Sequence, residues 1–300
     1  MFIEKEKIKV ILWLFLFCPS LHNWLNNVIY YIGDNMKDVK IIFVDLDGTL
    51  KDSEGKITDR TYKAMDNLKK LGVYIVFTTG RSISYTKMLA KSYSPSSYII
   101  TSNGAEIYNY INDTMLYNSP ISKDSITYID ELINKYELIF IANTKDARYS
   151  NKIEGTPGRK YIEHIKDINE EINQVVIQSK DINNMKFFRR DLNERSEVKI
   201  SNKSSNLEGR SYLFYDVTNS DVSKGNAITR LCEHLKIDMS KTMAIGDSGN
   251  DIEMFNVCKY KVAMANAEKD LKDIANIETL SNNQDGVSIV LERLYDEIIK

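Results

Sequence analysis

The sequence predicts an α/β protein whose core is a doubly wound, mostly parallel sheet, with an α+β unit inserted into it. Short continuous apolar runs recur near both ends of the region 38–300, which is typical of strands buried on both faces of a sheet. These runs alternate with segments of helical periodicity, as in proteins with parallel sheets. Between them, the strands predicted in residues 121–217 alternate in polarity and therefore indicate an antiparallel sheet.

Composition places the chain among ordinary globular proteins. The 300 residues suffice for two domains, and the hydrophobic share of 43% and the charged share of 27% are average. The net charge of −2 gives no electrostatic reason to expect nucleic acid or an anionic membrane as a partner. Three widely spaced cysteines predict neither a disulfide framework nor a zinc site.

Residues 1–37 differ from the rest and are predicted to be an N-terminal extension. Their apolar run, residues 10–18, is shorter than the roughly 20 residues of a membrane-spanning helix. We therefore expect no stable membrane span and a cytoplasmic protein. Secretion or membrane association through residues 1–37 is the alternative, because the run has the length of a signal-peptide core. The lack of a typical cleavage site after the run argues against that alternative.

Two acids follow the first predicted strand, residues 41–44. Asp45 and Asp47 lie two residues apart, so both carboxylates can project into one site beyond the carboxyl end of the strand, where ligands bind in open α/β sheets. Adjacent carboxylates repel each other unless a cation or a shared proton holds them, and Mg²⁺ suits such oxygen ligands. The alternative is an acid-rich surface turn.

Periodicity and end signals predict the other elements. Thr58 is a plausible N-cap for a helix over 58–71, which Gly72 ends. The first part of the core continues with a strand at 73–77, a helix at 83–90 and a strand at 98–101. In the insertion we predict helices at 122–135, 161–171 and 181–190, and strands at 138–142, 174–178, 198–201 and 212–217. The core resumes with a helix from 224, strands at 242–245 and 261–264, and helices at 252–257, 268–275 and 286–299.

Six strings recur in the order of a known family. They are VDLDGTL, VFTTGR, TSNGAEI, DVSKGNAI, AIGDSGNDIEM and VAMANA, spread over residues 40–267. On these strings the sequence resembles the haloacid dehalogenase superfamily, specifically the Cof-like phosphatases with a type C2 (IIB) cap. The resemblance implies a Rossmann-like core of residues 38–120 plus 218–300, and a cap of residues 121–217 that selects the substrate.

The resemblance also implies an activity. The protein would be a Mg²⁺-dependent phosphohydrolase that cleaves a small phosphorylated metabolite, such as a sugar phosphate, through an aspartyl-phosphate. Asp45 would be the nucleophile, and Asp47 the general acid and then the general base. Asp47 must carry a proton in the first step, which we expect crowding by Asp45 to favour. Thr79 would donate its hydroxyl to a phosphoryl oxygen, and Lys224 would neutralise phosphoryl charge and restrain Asp45.

The implied Mg²⁺ site has four members: Asp45, Asp47 through its backbone carbonyl, Asp247 and Asp251. Asp251 would orient the site through water or hold Lys224, although it could also be an ordinary acid at a helix start. Thr79 could instead be the N-cap of the next helix, without a role at the site. Lys224 could instead be a solvated lysine at a helix start.

Further residues are expected to contact phosphate, substrate or cap. They are Gly48, Gly80, Arg81, Asn103 and Asn250. For Arg81 a salt bridge to the cap is the alternative, and Asn250 would hold phosphate or Lys224. The loop 148–159 with Lys152, Arg159 and Lys160 is the candidate for substrate specificity, or else a solvated basic loop.

Two other functions remain open at this point. A phosphomutase would have a related core and cap and would isomerise its substrate without releasing phosphate. A phosphorylated receiver domain also uses Asp, Mg²⁺, Thr and Lys, but receivers are much shorter and lack the Asp-x-Asp pair. The sequence leaves the oligomeric state open.

Overall fold

A computed structural model describes residues 36–152, 158–204 and 213–300. Most of the predicted N-terminal extension and residues 153–157 of the predicted specificity loop lie outside the described residues. Met36 belongs to that extension in the prediction, yet it is fully buried in the core, so the folded core includes residues before the predicted start at 38. Within the described ranges, no helix has both the length and the apolarity needed to cross a membrane.

Strands and helices are numbered here in chain order. The strands are β1 (Ile41–Val44), β2 (Tyr74–Thr78), β3 (Tyr98–Thr101), β4 (Glu106–Asn109), β5 (Thr114–Asn118), β6 (Ile139–Thr144), β7 (Arg148–Ser150), β8 (Lys160–Tyr161), β9 (Ile172–Ser179), β10 (Val198–Ser204), β11 (Leu213–Asn219), β12 (Thr242–Gly246), β13 (Tyr260–Ala263) and β14 (Ile277–Glu278). The helices are α1 (Asp59–Lys70), α2 (Ile83–Tyr93), α3 (Lys123–Lys135), α4 (Ile182–Leu192), α5 (Lys224–Leu235), α6 (Ile252–Val257), α7 (Lys269–Ile274) and α8 (Gly286–Ile299).

The first sheet has eight strands in the order β14-β13-β12-β1-β2-β3-β4-β5. The six strands from β14 to β3 are parallel, and β4 and β5 continue the sheet in antiparallel pairing. This confirms the predicted mostly parallel α/β core. The strand order reverses between β1 and β12, the position where ligands bind in such sheets. The sequence prediction omitted β4 and β5, whose apolar runs, Ile107–Tyr108 and Met115–Tyr117, are short and have polar residues at both ends.

Burial explains why β1 lies at the centre. All four of its residues are buried, because β2 and β12 flank it and helices cover the sheet. Helix α1 begins where predicted, since the hydroxyl of Thr58 accepts the N–H of Thr61 at 3.2 Å, and it packs on α8. Apolar burial of this kind, worth ~25 cal/mol per Å², fixes the strand ends that carry the candidate site.

The second sheet has six strands in the order β10-β11-β9-β6-β7-β8 and lies in the predicted α+β insertion. Every pairing is antiparallel except that of β7 with β8. One face of this sheet, with Phe140, Val175 and Ile177, forms a separate hydrophobic cluster with residues of α3 and α4. We refer to this unit as the cap.

The predicted helix at 161–171 is wrong. The segment holds the short strand β8, a 3₁₀ turn at Ile165–Asp167 and irregular backbone. Its apolar residues Ile165 and Ile168 are both buried at a spacing of three, which imitates helical periodicity. A tertiary contact satisfies the backbone instead, because the buried Asp130 of α3 accepts the N–H of Ile165 at 3.0 Å.

Candidate active site

A buried lysine joins two distant acids at the carboxyl edge of the parallel sheet. Asp45 directly follows β1 and is 5% exposed. Lys224 is the first residue of α5, whose N-terminus Ser223 caps, and its Nζ lies 2.6 Å from Asp45 Oδ1 and 2.7 Å from Asp251 Oδ1. The solvated-lysine alternative for Lys224 is therefore wrong.

The tip of β12 supplies two further acids. Asp251 Oδ2 accepts the N–H groups of Asp247 and Ser248 at 2.9 and 3.1 Å. The other oxygen, Oδ1, accepts from Lys224, so both oxygens of Asp251 accept hydrogen bonds. Holding Lys224 is one of the two functional roles expected for Asp251. The hydroxyl of Thr49 donates to Asp247 Oδ1 at 2.6 Å, and among the described residues no hydrogen bond involves Oδ2 of Asp247.

Asp45, Asp247 and Asp251 form a group that can hold a metal ion. One ligand atom from each lies within 4.8 Å of the others. Burial, followed by the charges of Asp45 and Asp251, raises the pKa of Asp247 to about 8. Burial also raises the pKa of Asp45 to about 7, although the nearby ammonium of Lys224 opposes it.

The charge balance of this group fits a divalent cation. Burial by itself would lower the pKa of Lys224, but Asp251 and Asp45 outweigh it and raise that pKa. Even so, one ammonium faces three carboxylates, and burial, followed by the charges of neighbouring acids, keeps the pKa values of Asp45 and Asp247 elevated. A hard, oxygen-binding divalent ion would compensate the negative charge of these acids.

Asp47 lies apart from the three-acid group. Its carboxylate is held by Lys51 Nζ at 2.7 Å and by Arg81 Nε at 2.7 Å. Burial by itself would raise the pKa of Asp47, but the hydrogen bonds and charges of Arg81 and Lys51 outweigh it and lower that pKa. The expectation that crowding would keep a proton on Asp47 is therefore wrong, because two cations hold it as a carboxylate.

The loop after β2 places Thr79 beside this edge. Thr78 turns its hydroxyl back onto the carbonyl of Val76, whereas Thr79 follows the strand and its Oγ1 accepts the N–H of Arg81 at 3.2 Å. Gly80 lies against Asn103, since a Cβ there would come within 2.8 Å of Asn103 Oδ1.

Gly48 is required by both conformation and space. Its φ is +87°, and a Cβ would come within 2.3 Å of Asp247 Oδ2. Any side chain at this position would displace the carboxylate of Asp247, one of the three acids that can hold a metal ion.

Asn103 and Asn250 join the core to the cap. Asn250 Nδ2 donates to Asn103 Oδ1 at 3.2 Å, and Asn103 Nδ2 donates to Asp216 Oδ2 of β11 at 3.1 Å. The expected alternative contact of Asn250 with Lys224 is not among its hydrogen bonds in the described structure. Arg81 forms its ion pair with Asp47 of the core, and its pKa is raised by Asp47 first and also by the charge of Asp216 in the cap.

Three residues of the site were absent from the sequence prediction. Thr49 belongs to the first motif, and Lys51 follows Asp47 by four residues, so both could have been found from their position beside the acids. Gln174 of the cap donates from Nε2 to the carbonyl of Gly80 at 3.0 Å. Nothing in the sequence marks Gln174, because its position depends on how the cap lies on the core.

Comparison with known proteins agrees with this geometry. The family model described as haloacid dehalogenase-like hydrolase matches residues 42–291. A 5-amino-6-(5-phospho-D-ribitylamino)uracil phosphatase of Bacillus subtilis is 32% identical over 254 residues, which is 84% of this chain and 94% of that protein.

Solved structures show the same fold. A haloacid dehalogenase-like hydrolase from Bacteroides thetaiotaomicron superposes with a TM-score of 0.76 at 22% identity, covering 85% of this chain and 99% of the other. A crystal structure of a Thermotoga maritima protein gives a TM-score of 0.73 at 25% identity, covering 85% and 97%. The receiver-domain alternative is therefore excluded, and the resemblance seen in the motifs is confirmed. The chain belongs to the haloacid dehalogenase-like hydrolase family and is an enzyme of the phosphatase class.

Proposed function

We propose that this enzyme is a Mg²⁺-dependent phosphohydrolase that cleaves a small phosphorylated metabolite, such as a sugar phosphate, through an aspartyl-phosphate on Asp45. The observation that carries the proposal is the 2.6 Å contact of Lys224 with Asp45 inside a group of three acids. The Bacillus subtilis relative is named for a phosphorylated small molecule, which supports that class of substrate.

In the first step Asp45 attacks phosphorus. Lys224 occupies Oδ1, so Oδ2 is the oxygen that forms the new bond while the bond from phosphorus to the ester oxygen breaks. Asp47 delivers a proton to the departing oxygen. Because Arg81 and Lys51 favour its carboxylate form, Asp47 has to lose at least one of these contacts when substrate binds in order to carry that proton.

In the second step a water molecule attacks the phosphorus of the aspartyl-phosphate. The Asp47 carboxylate takes the proton from this water, the bond to Asp45 breaks, and inorganic phosphate leaves. Thr79 and the N-terminal N–H groups of α5 hold the phosphoryl oxygens. Mg²⁺, held by Asp45, Asp247 and the Asp47 carbonyl with Asp251 as orienting acid, would neutralise phosphoryl charge so that an anion can attack an anion.

The test is hydrolysis of p-nitrophenyl phosphate with and without MgCl₂. We expect the wild-type protein to release nitrophenol only with Mg²⁺, and we expect Asp45→Asn to abolish turnover because the amide is a poor nucleophile. The matched control is Asp270→Asn, which removes an exposed acid of the same sheet domain and should retain full activity.

Full activity of a folded Asp45→Asn protein would refute the nucleophile assignment. Product analysis with a sugar phosphate separates the two enzyme hypotheses. A phosphohydrolase releases inorganic phosphate and free sugar, whereas a phosphomutase converts the substrate to an isomeric sugar phosphate.

A further inference from the structure

Three neighbouring strands of the cap place polar side chains directly opposite one another. Asn143 of β6 pairs with Gln174 of β9 on one side and with Arg148 of β7 on the other. Residues opposite each other in an antiparallel pair lie on the same face of the sheet. Gln174, Asn143 and Arg148 therefore form a row across one face of the cap.

This polar row faces the core. Gln174 donates to the carbonyl of Gly80, next to Arg81, at 3.0 Å. The residues that alternate with the row, such as Ala142 and Val175, lie on the opposite face within the apolar cluster of the cap. The face with Arg148 consequently covers the loop that carries Thr79 and Arg81.

Two buried amides hold Arg148 in position. Asn143 Nδ2 donates to Gln174 Oε1 at 2.7 Å, and Arg148 Nε donates to Asn143 Oδ1 at 3.1 Å. Asn143 and Gln174 are both at least 97% buried, and the oxygen and nitrogen of each amide are occupied. These amides are therefore positioning residues, and among the described residues no hydrogen bond occupies the terminal nitrogens of Arg148.

Arg159 lies beside Arg148 at the edge of the cap sheet. The parallel pairing of β7 with β8 aligns Tyr149 with Lys160, so the preceding residues, Arg148 and Arg159, are neighbours as well. Within the described ranges, no acid forms an ion pair with Arg148 or Arg159, whereas Arg81 is paired with Asp47.

The two cap arginines lie close enough for each to feel another positive charge. Burial, followed by the charge of Arg81, lowers the pKa of Arg148, and burial together with Arg148 lowers that of Arg159. Like charges that are partly buried repel each other, and a bound anion would relieve this repulsion.

We propose that Arg148 and Arg159 bind a second anionic group of the substrate, a carboxylate or a phosphate distinct from the phosphoryl group that is transferred. The inference rests on the proposed function and deepens it, because it names the substrate class as metabolites with acid groups at both ends. Two strand spacings of ~4.8 Å separate the backbone of Gln174 from that of Arg148, so the arginine end of the row lies roughly 10 Å along the cap from the strand that contacts Gly80. Asp216 lies at the other end of the same face, three strands from β7, so the anion is directed to the arginine end.

The experiment compares pairs of probes that differ in the second acid group. Glucose 6-phosphate is compared with 6-phosphogluconate for a carboxylate, and fructose 6-phosphate with fructose 1,6-bisphosphate for a phosphate. We expect the wild-type kcat/KM to be higher for one or both anionic members by about 10- to 100-fold, the usual contribution of charged hydrogen bonds. Arg148→Ala and, independently, Arg159→Ala should remove this preference mainly by raising KM.

Hydrolysis of p-nitrophenyl phosphate, which lacks a second acid group, should be unchanged in both variants. Arg189→Ala, which removes an exposed arginine of α4, should retain the preference. Equal kcat/KM within both probe pairs for the wild type, or an equal loss on p-nitrophenyl phosphate, would overturn the second-anion site.

Binding of the same probes to the Asp45→Asn protein, measured by calorimetry, distinguishes failure of the second-anion site from failure of the proposed function. A tighter Kd for an anionic probe that disappears with Arg148→Ala supports the site even if no ester is hydrolysed. Equal Kd values for both members of each pair would refute the second-anion site without bearing on the proposed phosphatase function.

Discussion

At the residue scale, two aspartates of one short motif differ in acidity because their neighbours differ. Asp45 is buried beside other carboxylates, and its pKa rises from the ordinary 3.8 to about 7. Asp47 is partly exposed between Arg81 and Lys51, and its pKa falls. The motif alone makes the pair look equivalent, and the different partners of the two acids, most of them distant in the chain, distinguish them.

Asp47→Asn tests the proposed general acid and base. We expect kcat with a sugar phosphate to fall by roughly 10²–10⁴-fold, the usual contribution of such catalysis. Affinity for Mg²⁺, measured by calorimetry, should be unchanged because the Asp47 carboxylate lies outside the three-acid group. A kcat equal to that of the wild type would assign proton transfer to another group.

At the element scale, helix α3 holds an irregular segment of the cap through one buried acid. The Asp130 side chain is 2% exposed, accepts the N–H of Ile165, and lies 3.2 Å from Lys166 and 3.5 Å from His164. It replaces the backbone hydrogen bonds that a helix would have supplied. Removing it would leave a buried N–H without a partner.

Asp130→Ala should therefore lower the free energy of unfolding by about 1–3 kcal/mol in urea titration. The matched control is Asp124→Ala in the first turn of the same helix, where an exposed acid contributes at most ~1 kcal/mol through the helix dipole. Hydrolysis of p-nitrophenyl phosphate should be unaffected by either change. A loss no larger for Asp130→Ala than for Asp124→Ala would contradict the anchoring role.

At the scale of the whole molecule, the acid cluster makes stability depend on pH and metal. Asp45 and Asp247 have ordinary pKa values of 3.8 when unfolded but about 7 and about 8 when folded without metal. At pH values between the unfolded and the folded pKa of these two acids, the folded state binds more protons than the unfolded state. Stability is therefore lost as the pH rises through this interval. A metal ion that binds only the folded state offsets that loss.

We therefore expect the melting temperature of metal-free protein to fall between pH 5 and pH 8. Mg²⁺ should raise it more at pH 8 than at pH 5, because the ligands are already deprotonated at the higher pH. Asp247→Asn should flatten the metal-free pH profile and reduce the effect of Mg²⁺. A metal-free melting temperature that is constant or rises over this range would contradict the predicted acid cluster.

The sequence by itself determined the parallel core and the residue types at its carboxyl edge. Short apolar runs such as Ile41–Val44 are typical of strands buried on both faces of a sheet, and the acids and glycines that follow them are local features of the chain. Thr58 and Ser223 likewise cap their helices through hydrogen bonds to residues three positions away. Local interactions of this kind can be predicted without knowing the rest of the fold.

Only the tertiary structure decided how the acids are paired and what the cap presents to them. The contact of Gln174 with Gly80, the pairing of Gln174 with Asn143, and the ion pair of Arg81 with Asp47 all join residues far apart in the chain. Burial and neighbouring charge set acidity and binding, and both depend on strand register and on the position of the cap, which no local pattern of residues encodes.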